Sequence, residues 1–293
     1  MGICSQITGM VNGLSLGHYY YKISFMLREC MLLNGILTNA DVWYPITDSQ
    51  IEILEDIDLM LLRKLIKGHA KCAKETFHLE TGLLPIRFVI MKRRLMYLHH
   101  ILSRPETELI RKVYEVQKQI NTKNDWYGMV QQNRKDLKII LSDEEISRLS
   151  EEKFKSIVKR SVETEALDYL NNIAGGHSKS EDLVKPKLTR EKYFEDTKFS
   201  KSEVELLFSF RTRMVCDIKA NFPSQHKNNL VCDLCQVAIE CQEHLLSCSK
   251  LRQYHDIPKD VQYADSFKET EKQLKIVKLF KHLLRARELL KSN

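Results

Sequence analysis

Four residues near the end of the sequence have the side chains and spacing to hold a metal ion: Cys232, Cys235, His244 and Cys248, in the run VCDLCQVAIECQEHLLSC. A Cys-x-x-Cys pair on a tight turn can present two thiolates to one ion. A His-x-x-x-Cys pair on one helical turn projects both ligands to the same side. Three sulfurs and one imidazole nitrogen make the tetrahedral set that zinc prefers, at ~2.0–2.3 Å. With every position filled by protein there is no place for a reactive water, so the expected chemistry is structural rather than hydrolytic. The spacing leaves one ligand open. Cys241 lies close enough to replace His244, and His226 lies just upstream. His244 is favoured because Leu245 and Leu246 continue an apolar helical face that would hold it. The bland alternative is a group of ordinary reduced cysteines, but two chelating pairs at compatible spacing seldom arise together. A segment so poor in apolar residues also needs an ion to fold.

The other residues with a possible binding role are basic. From Pro85 to Arg104 the chain carries Arg87, Lys92, Arg93, Arg94 and Arg104 with no acidic residue. On a helical wheel Lys92 and Arg93 gather with His99 and His100, while Arg87 and Arg94 share a more apolar side. Facing nucleic-acid phosphates, the first group would add salt-dependent affinity. The competing reading is a solvated face, with Arg87 and Arg94 paired to carboxylates such as Glu80. The segment Lys268 to Lys291 has the same bias: Lys272, Lys275, Lys278, Lys281, Arg285 and Arg287 outnumber Glu269, Glu271 and Glu288.

These residues need a scaffold, and the composition indicates an all-α one. The 293 residues are 43% hydrophobic and 29% charged, with 10 Gly and 6 Pro, a balance that favours helices over turn-rich β structure. A net charge of +7 permits an anionic partner without demanding one. Eight cysteines, half of them in one short stretch, do not suit a secreted disulfide scaffold. No signal peptide is evident, the Met-Gly start lacks the Ser or Thr at position 6 that myristoylation wants, and no apolar run reaches the ~18 residues of a membrane span. No P-loop, dinucleotide fingerprint or nucleophile elbow points to a small-molecule substrate. An intracellular protein, nuclear or cytoplasmic and without a membrane partner, is expected.

Helical periodicity and end signals predict helices over residues 17–37, 49–67, 73–80, 85–103, 106–120, 126–137 and 144–171. Asp48 is the expected cap of the second and Gly68 its stop. Ser142 with Glu145 and Ser200 with Glu203 read as capping boxes, the second opening a helix towards Cys216. The polar stretch AGGHSKSEDLVKPKLTREKYFEDTKFS reads as a linker. The expected organisation is a multi-helix bundle over 1–172, a polar linker and helix over 173–222, a zinc knuckle over 223–255, and a basic amphipathic C-terminal helix over 256–293.

Several strings, in order, carry a resemblance: GICSQITGMVNGLSLGHYYYKISFMLRECMLLNGILTNADVWYPIT, LPIRFVIMKRRLMYLHHIL, LLFSFRTRMVCDIKANF and CDLCQVAIECQEHLLSC. Together they resemble the region after the catalytic palm in non-LTR (LINE-type) retrotransposon reverse transcriptases. The resemblance implies a helical thumb that grips a primer–template duplex, with Lys92, Arg93 and Arg94 in it. It also implies a cysteine–histidine knuckle, ligated by Cys232, Cys235, His244 and Cys248, that contacts template RNA. Fingers, palm and endonuclease have no counterpart here, so the resemblance implies an element-derived piece without nucleotide transfer of its own. Tyr263-Ala264-Asp265-Ser266 superficially resembles the family's Tyr-x-Asp-Asp loop, but its second carboxylate is missing. RNA or an RNA–DNA hybrid is the expected partner, Arg87, Lys92, Arg93, Arg94, Lys275 and Lys278 its expected contacts, and zinc the expected cofactor.

Overall fold

The computed structural model describes residues 2–122, 124–215, 218–227, 229–254 and 261–292. Among the described residues the regular structure is helical, with one isolated antiparallel bridge between Val231 and Ile239. The expected end of the knuckle at 255–256, and Cys216, lie outside them.

The N-terminal stretch begins with a helix the sequence did not announce, α1 (Gly2–Gly13), which buries Cys4, Ile7 and Val11. The apolar helix expected from Gly17 is built as α2 (Tyr20–Leu27), a π-helical stretch (Arg28–Leu33) and α3 (Asn34–Ile36). Within that stretch Arg28 is fully buried. Its Nε and Nη2 donate to the two oxygens of Asp58 at 2.6 Å each, so the charge enters the core already paired.

Asp58 belongs to α4 (Asp48–Ile66), whose N-cap is Thr47 rather than Asp48. The Thr47 hydroxyl accepts from Gln50 N–H while the Gln50 side chain accepts from Thr47 N–H, a full capping box. Lys67, at φ 53°, closes the helix in the left-handed region, so Gly68 is not its stop. Gly68 is required for another reason: the Phe77 ring fills the space a Cβ would occupy.

Then follow α5 (Lys74–Thr81), α6 (Ile86–Leu102), α7 (Leu109–Ile120) and α8 (Trp126–Asp136). The single helix expected over 144–171 is two, α9 (Asp143–Arg148) and α10 (Glu151–Gly175). Leu149 is extended and Ser150 caps anew, its hydroxyl accepting from Lys153 N–H. α10 lies along α6, and Phe88, Leu95 and Leu98 meet Phe154, Val158, Val162 and Ala166 between them.

The stretch expected to be a linker is bound down. Leu183, Tyr193, Phe194 and Phe199 are buried, and Phe194 packs edge-on against Phe25 and Tyr21. Beyond it come α11 (Lys201–Arg211), opened by the Ser200–Glu203 box, α12 (Gln242–Ser247), α13 (Ser249–Tyr254) and α14 (Thr270–Ser292). One core cluster joins Cys4 and Ile7 of α1 to Leu62 of α4, Tyr193, Phe208 of α11 and Val277 of α14, so it crosses the boundaries expected at 172 and 222. A buried ion pair reinforces this: Arg211 donates through Nε and Nη2 to Glu80, which also accepts from the Tyr193 hydroxyl.

Candidate metal centre

The Cys232–Cys235 pair lies on a tight hairpin. Cys232 N–H donates to Ala238 O at 2.8 Å and Glu240 N–H to Leu230 O at 2.8 Å, pairing the two arms, while Gln236, at φ 54°, turns the tip. This turn aims backbone amides at sulfur: those of Leu234 and Cys235 at Cys232, and those of Val237 and Ala238 at Cys235. His244 and Cys248 come from α12 and its C-cap. The helix begins where the Cys241 sulfur accepts from His244 N–H at 3.3 Å. One six-residue helix therefore carries the histidine in its first turn and the last cysteine at its end.

The ligand atoms of Cys232, Cys235, His244 and Cys248 all lie within 4.8 Å of one another, and Cys235 Sγ is 3.4 Å from His244 Nε2. Four ligands around one zinc ion would stand ~3.5–3.8 Å apart, given ~2.0–2.3 Å bonds and tetrahedral angles. The donor set fits the ion in number, chemistry and spacing. The choice that the spacing left open falls to His244, since Cys241 is spent as the cap of α12 and lies outside the cluster.

Burial pushes the Cys232 thiol up to about 11, against the pull of its two amides. At Cys235 burial also raises the pKa, but the amides of Val237 and Ala238 with the neighbouring thiols outweigh it and lower it below the ordinary thiol value. Burial lowers the pKa of His244, which keeps its ring neutral and able to donate a lone pair. Cys235 thus ionises before Cys232, and a bound cation would draw the buried thiol after it.

The knuckle is seated on the rest of the protein. Cys232, Cys248, Leu245, Leu246 and Leu251 pack against Phe210 of α11 and Ile276, Phe280 and Leu283 of α14. Buried Glu240 takes Arg287 Nη2 at 2.5 Å, and Asp233, inside the Cys-x-x-Cys turn, takes both Lys219 and Lys291. Pattern reading missed these clamps. Their members are separated by up to 58 positions, and nothing in local spacing marks them.

The expected nucleic-acid contacts separate by element. On α6, Arg94 is 3% exposed and donates to Trp43 O at 3.1 Å, so burial withdraws it from any phosphate and lowers its pKa to about 10. Arg87 forks onto Glu55 at 2.9 Å, and Arg93 donates to Leu37 O at 2.7 Å and to Asn34. These three arginines brace α6 against its neighbours. Glu80, suggested as a carboxylate for Arg87 and Arg94, pairs with Arg211 instead. Lys92 is half-buried on the same helix. On α14, Lys275 and Lys278 are exposed. Asp265 is a cap, accepting from Gln262 N–H at 2.7 Å and pairing with Lys268 at 2.9 Å.

No protein-family model, curated protein or solved structure matches this chain. No described helix is long and apolar enough to cross a membrane.

Proposed function

We propose that this chain binds RNA or an RNA–DNA hybrid through the outward face of α14, with a structural zinc ion fixing that helix. We further propose that it derives from the post-palm region of a non-LTR (LINE-type) retrotransposon reverse transcriptase. The observation that carries the binding is the two-sided character of α14. Ile276, Phe280, Leu283 and Ala286 are buried with the knuckle's cysteines and leucines. Lys275, Lys278, His282 and Arg285 are exposed at helical spacing on the other side. From Lys275 to Arg285 that stripe runs about 15 Å, long enough to follow several phosphates. Among the described residues the cysteine cluster is the one group of acidic, His or Cys side chains that could hold a metal. The same surface would serve a longer polymerase whose palm brings its own carboxylates.

Fluorescence anisotropy with single-stranded RNA and with an RNA–DNA hybrid tests this. Affinity should fall steeply with salt. A Lys278→Glu/Arg285→Glu variant should bind more weakly, with its log–log salt slope reduced by ~2, about 0.7–0.9 per lost phosphate contact. Binding that is absent at low salt, or unchanged in that variant, would sink the proposal. A second reading, a zinc-stabilised scaffold for protein partners, draws on Val237 at the hairpin tip, which is 84% exposed. It predicts a partner retained at high salt.

A further inference from the structure

α7 is inside out. Of its twelve residues Tyr114 is the buried one, its hydroxyl donating to Asp143 at 2.9 Å. The apolar side chains Leu109, Val113, Val116 and Ile120 are 77%, 49%, 52% and 63% exposed. At intervals of four, three and four they form one straight stripe, the a/d seam of a paired helix. None of the described residues covers it. Singly exposed apolar side chains are ordinary, but a complete seam is not.

We infer that this face pairs with the same face of a second copy of the chain, the two α7 helices running antiparallel about a two-fold axis. The register is self-complementary. A two-fold axis crossing the helix between Tyr114 and Glu115 lays Leu109 on Ile120 of the second copy and Val113 on its Val116. All four layers are then filled, with no apolar side chain left over. Charge agrees. Lys112 flanks the seam and is exposed. In this register it stands within a turn of Glu115 of the second copy, where it would share that carboxylate with Arg111 of Glu115's own helix (2.9 Å), and the axis repeats that contact. The remaining flanking positions, Ile110, Gln117 and Gln119, are uncharged, so no like charges face each other. The stripe offers on the order of 450 Å², about half of what one partner gives to a standard-size interface. The pair is therefore weak and forms with rising concentration. This assembly is independent of the α14 surface and extends the molecule beyond the binding proposed above.

Sedimentation velocity of the zinc-loaded full chain, without nucleic acid, from about 5 to about 300 µM tests it, since weak pairing is decided by concentration. The expected result is a monomer at the low end and a dimer at the high end. Val113→Glu should remove the dimer with an unchanged helical circular-dichroism spectrum, because Val113 is half-exposed. In a Cys30→Ser background, Leu109→Cys/Ile120→Cys should give a disulfide-linked dimer under mild oxidation, while Leu109→Cys alone should not. Within one helix those two positions are about 16 Å apart, beyond the reach of an internal bond. A monomer at every concentration, a dimer indifferent to Val113→Glu, or crosslinking by Leu109→Cys alone would each overturn the inference. So would a stripe that captures a different protein while the chain stays monomeric.

Discussion

Cys241 and His244 differ by three positions, and what separates their roles is backbone direction. The Cys241 sulfur points along α12 to cap its first turn, whereas the His244 ring points across to Cys235. A Cys235→Ser protein should lose its zinc in native mass spectra and a Cys241→Ser protein should keep one ion per chain. Retention by the first or loss by the second would refute this ligand set. Asp143 sets a pH-dependent contribution. Burial alone would raise its pKa, but Lys118 and Tyr114, aided by Arg134, hold it below the ordinary carboxylate value. A depressed folded-state pKa adds stability above the unfolded value of ~3.9, and that stability is lost as pH falls further. Asp143→Asn should lower the melting temperature at pH 7 and flatten its fall below about pH 4. At this scale the sequence was legible where chemistry is local. The four candidate ligands lie within seventeen residues and their types mark a site that could hold a metal ion. Arg94 was misread because its helix and its charge are visible in sequence, whereas its burial under Trp43 depends on a neighbour half a hundred positions away.

Helix ends show the same division. The Ser142–Glu145 and Ser200–Glu203 boxes could be read because both partners of each hydrogen-bond pair sit three residues apart. Thr47–Gln50 has the same spacing but was passed over for the acidic Asp48 beside it. The break between α9 and α10 was hidden because Leu149 and Ser150 leave the apolar periodicity intact. α14 illustrates an element whose stability is borrowed. Its buried face rests on the knuckle, and Arg287 and Lys291 latch it to Glu240 and Asp233. Stripping the metal with a chelator should raise amide exchange through α14 and α12 while α6 and α10, which form a separate cluster, keep their protection. Equal deprotection everywhere, or none in α14, would show that the metal does not brace that helix.

For the whole molecule, composition indicated an all-helical chain, but not which distant segments would share a core. The region expected to be a linker supplies Tyr193 and Phe194 to the largest cluster, and its polarity belongs to the lysines and acids on either side of those anchors. The Arg211–Glu80 pair, 131 positions apart, is fully enclosed, and Arg211→Met should cost about 3–5 kcal/mol in denaturant unfolding by leaving the buried Glu80 carboxyl without a countercharge, held by the Tyr193 hydroxyl. This long reach has a consequence for synthesis. A chain leaves the ribosome from its N-terminus, and α1 and α4 form apolar faces early. The cluster that receives them also needs Tyr193, Phe208 and Val277, so it cannot close until the chain has emerged through α14. Nascent chains arrested near Ser200 should therefore be cut readily by protease within α1–α4. Chains extended past α14 should resist, because every segment that lines the cluster is then available to close over α1 and α4.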